Sequence, residues 1–145
     1  MAPVSRLVLA LACTFVSLEV IGASKTFAVA IETTEIAKGL HMLVGSGGNV
    51  AVLSGADGVL VIDDQYGYQY EEIANAISEI SSNSAKFLVN THWHSDHAGS
   101  NEQMANSGTV IVAHENTRAR LSTDQVIEFF NADRPAAPPE ALPVI

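Results

Sequence analysis

The stretch that most restricts what this chain can become is Asn90-Thr91-His92-Trp93-His94-Ser95-Asp96-His97. It gathers three of the chain's five histidines and an aspartate between positions 92 and 97. The residues just before it, KFLVN at 86–90, read as a short buried strand. Just after it, Ser100-x-x-Gln103 is a capping-box pattern that predicts a short helix over 101–106. A strand end, an imidazole-rich loop and a helix start in succession form the setting in which open α/β sheets hold ligands. Neutral imidazole is the protein's commonest metal ligand, and zinc takes it readily. His92 and His94 are two apart, a spacing that lets both rings converge on one ion from a loop. Asp96 and His97 are adjacent, so their side chains diverge from the first pair and can reach a second ion beside the first. In a two-metal site the pKa of bound water falls towards about 7, which gives a nucleophile at neutral pH. Asp96 is the candidate catalytic residue, orienting that water while serving as a ligand. Taken singly each residue has an ordinary reading: Asp96 as a helix cap, His94 as a surface ring, Trp93 as packing.

Elsewhere the pattern alternates between strand and helix. Residues 33–66 read as antiparallel β, with strands at 40–44, 49–53 and 59–62 and a hairpin signal at Asp57-Gly58. Gly45-Ser46-Gly47-Gly48 reads as a flexible turn; no Lys-Ser/Thr and no helix follow it, so it is not a phosphate loop. Over 68–81, Ile73, Ile77 and Ile80 recur at helical spacing, with Glu71, Glu72 and Glu79 for the wet side. TVIVA at 109–113 is the next strand, and helical pieces follow with a second capping box at Ser122-x-x-Gln125. From Arg134 the tail is proline-rich and reads as extended, ending in an apolar 142–145 with no later element to pack on. There are no internal repeats. The alternation predicts an α/β layer with crossover connections.

The first thirty residues differ in kind. Arg6, the apolar run LVLALACTFVSLEVI at 7–21 and Ala28-Val29-Ala30 together read as an export signal over 1–30, with a mature start near Ile31. Cleavage after Ala23 or Ala28 is an alternative, and an uncleaved anchor is the rival. Glu19, Lys25 and the shortness of the run argue against a spanning helix. The expected location is exported, periplasmic or secreted. Cys13, the only cysteine, lies inside this segment, so residues 31–145 carry no disulfide and no thiolate ligand. Its place in mid-run argues against lipidation. A net charge of −9 with scattered Lys and Arg provides no basic face for nucleic acid. After signal cleavage no membrane partner is expected either.

The remaining candidates are weaker. His41 lies in a strand region and is expected to be exposed. His114 follows the strand at 109–113 and is expected to cap or hydrogen-bond rather than ligate. Asp63 and Asp64 end the strand at 59–62; one of them is a candidate to orient a ligand histidine, and a plain polar strand end is the alternative. Ser54 and Ser95 have no base arrangement of a nucleophile.

Together, VNTHWHSDHAG at 89–99 and VLVIDD at 59–64 resemble the metallo-β-lactamase-fold hydrolase superfamily. The resemblance runs from about residue 35 to residue 145. It implies an αββα sandwich with a metal site at one edge, His92 and His94 on a first zinc, and Asp96 and His97 on a second. It also implies a zinc-dependent hydrolase of a small-molecule substrate, β-lactamase-like or thioesterase-like, with lactam amides, thioesters, lactones and phosphoesters all suited. In the family a later histidine completes the first metal, a later aspartate bridges both, and a final histidine completes the second. No histidine follows His114 in this sequence. The expectation is therefore the N-terminal half of the sandwich over 31–145, as a fragment or a truncated gene. A non-catalytic metal-binding or interaction protein, or an inactive truncated product, is the alternative.

Overall fold

The computed structural model describes residues 29–144; the proposed signal segment lies almost wholly outside them. Four strands run as an antiparallel meander: β1 (Glu32–Ala37), β2 (Leu40–Val44), β3 (Val50–Gly55) and β4 (Gly58–Ile62). The helix α1 (Tyr70–Ile80) then carries the chain to β5 (Ala85–Asn90), which lies parallel to β4. Two short helices, α2 (Ser95–Ala98) and α3 (Asn101–Asn106), lead to β6 (Val110–Ala113), parallel to β5. Strand order in the sheet equals chain order, β1 to β6. Right-handed crossovers that keep moving in one direction put their helices on one side of the sheet. Ile73, Ala76 and Ile77 of α1 and Met104 of α3 accordingly pack together on Leu43, Val50, Val52, Val59, Val61, Leu88 and Ile111. Glu71 and Glu72 in the first turn of α1 suit the positive end of its dipole.

Register puts the alternate residues of the same strands on the other face. Leu53 pairs with Leu60, Leu60 with Phe87 and Phe87 with Val110. Leu53, Phe87 and Val110 are 47%, 46% and 39% exposed. Strands apolar on both faces belong to sheets covered on both faces, and among the described residues helices cover one. The mixed sheet with helices on one side is the α/β layer that the sequence predicts, and it matches one half of an αββα sandwich.

After β6 the chain departs from expectation. The helix α4 (Glu115–Leu121) ends at Ser122, whose hydroxyl donates back to the Ala119 carbonyl; Gln125 opens a strand. Ser122 is thus a helix end, not the start of a capping box. The ribbon β7 (Gln125–Ile127) and β8 (Ala132–Arg134) follows, where further helical pieces were expected. The first capping box is also corrected. Ser100 does precede α3, but its hydroxyl donates to the Tyr66 carbonyl and Gln103 donates to that of Gly67. Both side chains tie α3 to the β4–α1 connection instead of to their own helix. The tail packs where none was expected: Val144 N–H donates to Ile111 O at 2.9 Å, and Asn101 Nδ2 donates to Ala141 O at 3.0 Å. His41 is half-buried on the helix-covered face rather than exposed, paired in register with Val52.

Candidate metal centre

Two strand ends meet at the site. β4 stops at Ile62, and Asp63 N–H still donates to Val89 O of β5 at 2.9 Å, so the ladder carries Asp63 to the level of Asn90. Asp63 and Gln65 then take φ of +61° and +59°. Left-handed backbone is uncommon outside glycine and marks an over-determined turn. From β5 the chain enters Thr91 to His94 and then α2, with His94 as its N-terminal flank and His97 N–H on His94 O at 3.1 Å. The carbonyl of His97 accepts from Asp64 N at 3.1 Å and from Asn90 Nδ2 at 3.2 Å. Gly99 closes the turn: a Cβ there would lie 2.3 Å from Ser95 O and 2.6 Å from Gln65 O, so only glycine fits.

The four predicted ligands are brought together. The His92 and His97 rings lie 4.1 Å apart between centroids, and His92 and His94 4.7 Å apart. His97 Nε2 and Asp96 Oδ2 face each other at 3.4 Å. Among the described residues no three such donors converge closely enough to hold one ion by themselves.

Of the paired aspartates it is Asp63 that orients a ring. Its Oδ2 meets His97 Nδ1 at 2.8 Å and accepts from Thr91 Oγ1 at 2.8 Å, while Oδ1 accepts from Thr91 N at 2.7 Å. An ionised carboxylate only accepts. Nδ1 of His97 therefore carries a proton, which in a neutral ring leaves the lone pair on Nε2. Thr91 spends its one hydroxyl proton on Asp63, so its oxygen accepts from His92 Nδ1 at 3.1 Å. His92 is then held in the same tautomer. Burial, and after it the nearness of His97 and His94, moves the His92 pKa down, which favours the neutral ring that a metal needs. Both rings thus present Nε2 lone pairs, one of them towards a carboxylate; imidazole and carboxylate are donor types that zinc takes, and a carboxylate holds the ring from behind.

Asp64 has a different role. It is fully buried, accepts from Ser100 N at 3.1 Å, and burial pushes its carboxyl well above the usual range. Arg134 had no signal in its proline-rich context. It donates to the Trp93 carbonyl and to Ala98 O at 3.3 Å, clasping both sides of α2, and its guanidinium lies 6.0 Å from the Trp93 ring centre. His114 caps α4, its Nδ1 accepting from Asn116 N at 3.1 Å, as its position suggested. The turn at 45–48 is pinned, not loose: Gly47 N donates to Gln65 Oε1 at 2.9 Å and Ser46 to Gln69 Oε1. Those two buried glutamines were not singled out by any motif.

A family model described as the metallo-beta-lactamase superfamily matches residues 43–144. No curated protein sequence matches the chain. Among solved structures, it is similar to MEM-A1, a subclass B3 metallo-beta-lactamase isolated from a soil metagenome library. The identity is 20% and the TM-score 0.65, covering 76% of this chain and 44% of that one. It is also similar to the metallo-beta-lactamase FIM-1 from Pseudomonas aeruginosa in its mono-zinc form. There the identity is 20% and the TM-score 0.56, over 75% of this chain and 50% of that one. A metallo-beta-lactamase from Pontibacter korlensis shares 26% identity at a TM-score of 0.54, over 61% and 46% of the two chains. The chain thus spans half or less of the length of these structures.

Proposed function

Because the chain belongs to the metallo-beta-lactamase superfamily, we propose that it carries one part of the active centre of a zinc-dependent hydrolase of small molecules. His92 and His94 would hold one ion, and Asp96 and His97 a second. Zinc bound there would supply a Lewis acid and lower the pKa of water to about 7. The chain's own part is to hold His92 and His97 in the Nε2-free tautomer, to favour the neutral ring at His92, and to place Asp96 against His97. The observation that carries this reading is the single carboxylate of Asp63, which sets the proton on His97 directly and on His92 through Thr91.

The test is expression of the whole reading frame that contains these residues, assayed with zinc against lactam, thioester, lactone and phosphoester substrates. Hydrolysis abolished by EDTA and by His92→Ala is expected. Turnover indifferent to both would remove the metal from the reaction. For residues 31–145 alone, weak zinc binding and no hydrolysis are expected, since catalytic zinc takes three protein ligands and this assignment gives each ion two. Zinc retained without turnover by the whole frame would favour a non-catalytic metal-binding protein.

We also propose that the N-terminal segment directs export to the periplasm or medium. Gln69, fully buried, donates to Val29 O at 2.9 Å and accepts from Val29 N at 3.2 Å. That pairing favours cleavage ahead of Val29 over cleavage after Ala30. N-terminal sequencing of the exported protein checks it: Val29 or an earlier residue is expected first, and Ile31 would refute the preference.

A further inference from the structure

We propose that Gly48, in the turn between β2 and β3, is a positioning residue for the Asp96–His97 pair: the side chain it lacks is the space that the His97 ring occupies. The inference rests on the metal reading of that pair but is tested apart from it. A Cβ on Gly48 would lie 2.3 Å from Cε1, 2.6 Å from Nε2 and 2.8 Å from Nδ1 of His97. Those three atoms are contiguous, so the backbone of Gly48 lies against the Nδ1–Cε1–Nε2 edge of the ring, the edge that carries both nitrogens. The adjacent Gly47 is also tight, with a Cβ there 2.8 Å from that of Asp96 and 2.9 Å from Tyr66 Cε2.

Both partners in this contact are held by hydrogen bonds, the loop by more of them than the ring. On the loop side, Gly48 N donates to Asp96 O at 3.2 Å, and Gly47 N donates to Gln65 Oε1 at 2.9 Å. Ser46 N donates to Gln69 Oε1 at 3.3 Å. Gln65 and Gln69 are fully buried, so the turn is nailed to the floor of the fold at two points. On the ring side, His97 is held by Asp63 at 2.8 Å. An added methyl must therefore break one set of bonds or the other. The ring has a single hydrogen bond to lose and the loop has several, so the ring moves, and its Nε2 leaves the position facing Asp96. Gly48 does not have a left-handed φ, so alanine adds no backbone strain of its own. Its effect is transmitted through the ring.

The test compares Gly48→Ala with Gly55→Ala in the full chain. Gly55 has nothing within 4 Å of an added Cβ and no left-handed φ, which makes it the matched control. Zinc affinity is measured by titration calorimetry, and the metal-free histidine rings are followed by NMR. In the unmodified protein we expect an Overhauser contact between Gly48 Hα and the His97 ring, and a slowly exchanging Nδ1 proton on His97. Gly48→Ala should lose both and bind zinc about 10–100-fold more weakly, the usual scale for disturbing a group that orients a metal ligand. Gly55→Ala should match the unmodified protein. An unchanged ring signal and affinity in Gly48→Ala overturns the proposal. If Gly48→Ala does not fold, the Gly48–His97 contact in the unmodified protein decides, and its absence overturns the proposal. An unmodified chain that takes no zinc at all defeats the metal reading instead, while the metal-free NMR comparison still decides the role of Gly48.

Discussion

Replacing Asp63 by asparagine is expected to weaken zinc binding by roughly 10–100-fold while the protein stays folded. Asparagine is the mildest change available. It is isosteric, and it tolerates the left-handed backbone of position 63, where φ is +61°. The effect comes from one proton. Asp63 accepts three hydrogen bonds: from Thr91 N, Thr91 Oγ1 and His97 Nδ1. An asparagine must use its carbonyl for the fixed donor, the Thr91 backbone N–H. Its amide then faces both Thr91 Oγ1 and His97 Nδ1. The amide donates to His97, so the ring proton moves to Nε2 and the lone pair meant for the metal is lost. Thr91 now accepts, and its hydroxyl proton turns to His92 Nδ1, 3.1 Å away. His92 is inverted too. One substitution thus blocks a ligand on each proposed ion. Nitrogen shifts of the imidazoles read the tautomers directly, and calorimetry reads the affinity. A variant with both rings still protonated on Nδ1 and unchanged zinc binding would sink the account.

How much of this was legible beforehand depends on where the information lies. The ligand loop is local: four donors within one short stretch, flanked by a strand and a helix, are visible in sequence order alone. The strands β2, β4 and β5 and the helix α1 are also local, because alternation and helical period are properties of neighbouring residues. The Asp63/Asp64 ambiguity was not resolvable locally, since both residues follow the same strand. What separates them is that the β4–β5 ladder runs on through Asp63 and brings it level with Asn90, within reach of Thr91, which is a register fact. Ser100 and Gln103 misled for a related reason. They have the composition of a capping box, but tertiary carbonyls at Tyr66 and Gly67 compete for the same donors and win. Gln65, Gln69 and Arg134 act over separations in sequence that no local pattern encodes, and their residue types are ordinary surface types until burial is known.

The second large effect concerns stability. Leu88→Ala is expected to destabilise the protein by about 2–5 kcal/mol, the range for removing a buried leucine. Phe87→Ser, one residue earlier, is expected to cost far less. Leu88 is fully buried, in register with Val61 on one side and Ile111 on the other, and it belongs to the cluster under α1. Phe87 points to the opposite face and is 46% exposed. Total stabilities of domains are only about 5–15 kcal/mol. A sheet with helices on a single face among its described residues has one layer of buried contacts to draw on, so the loss at Leu88 is a large share of the whole. The site should fall with it, because β5 delivers Asn90, Thr91 and His92 to their places. Urea unfolding measures the cost, and zinc binding under the same conditions measures the coupling. Phe87→Ser should also reduce the binding of a hydrophobic dye and any self-association, since it removes the largest ring from the uncovered face. Equal costs at 87 and 88 would mean that both faces of the sheet are buried alike, and the one-sided core described above would be wrong.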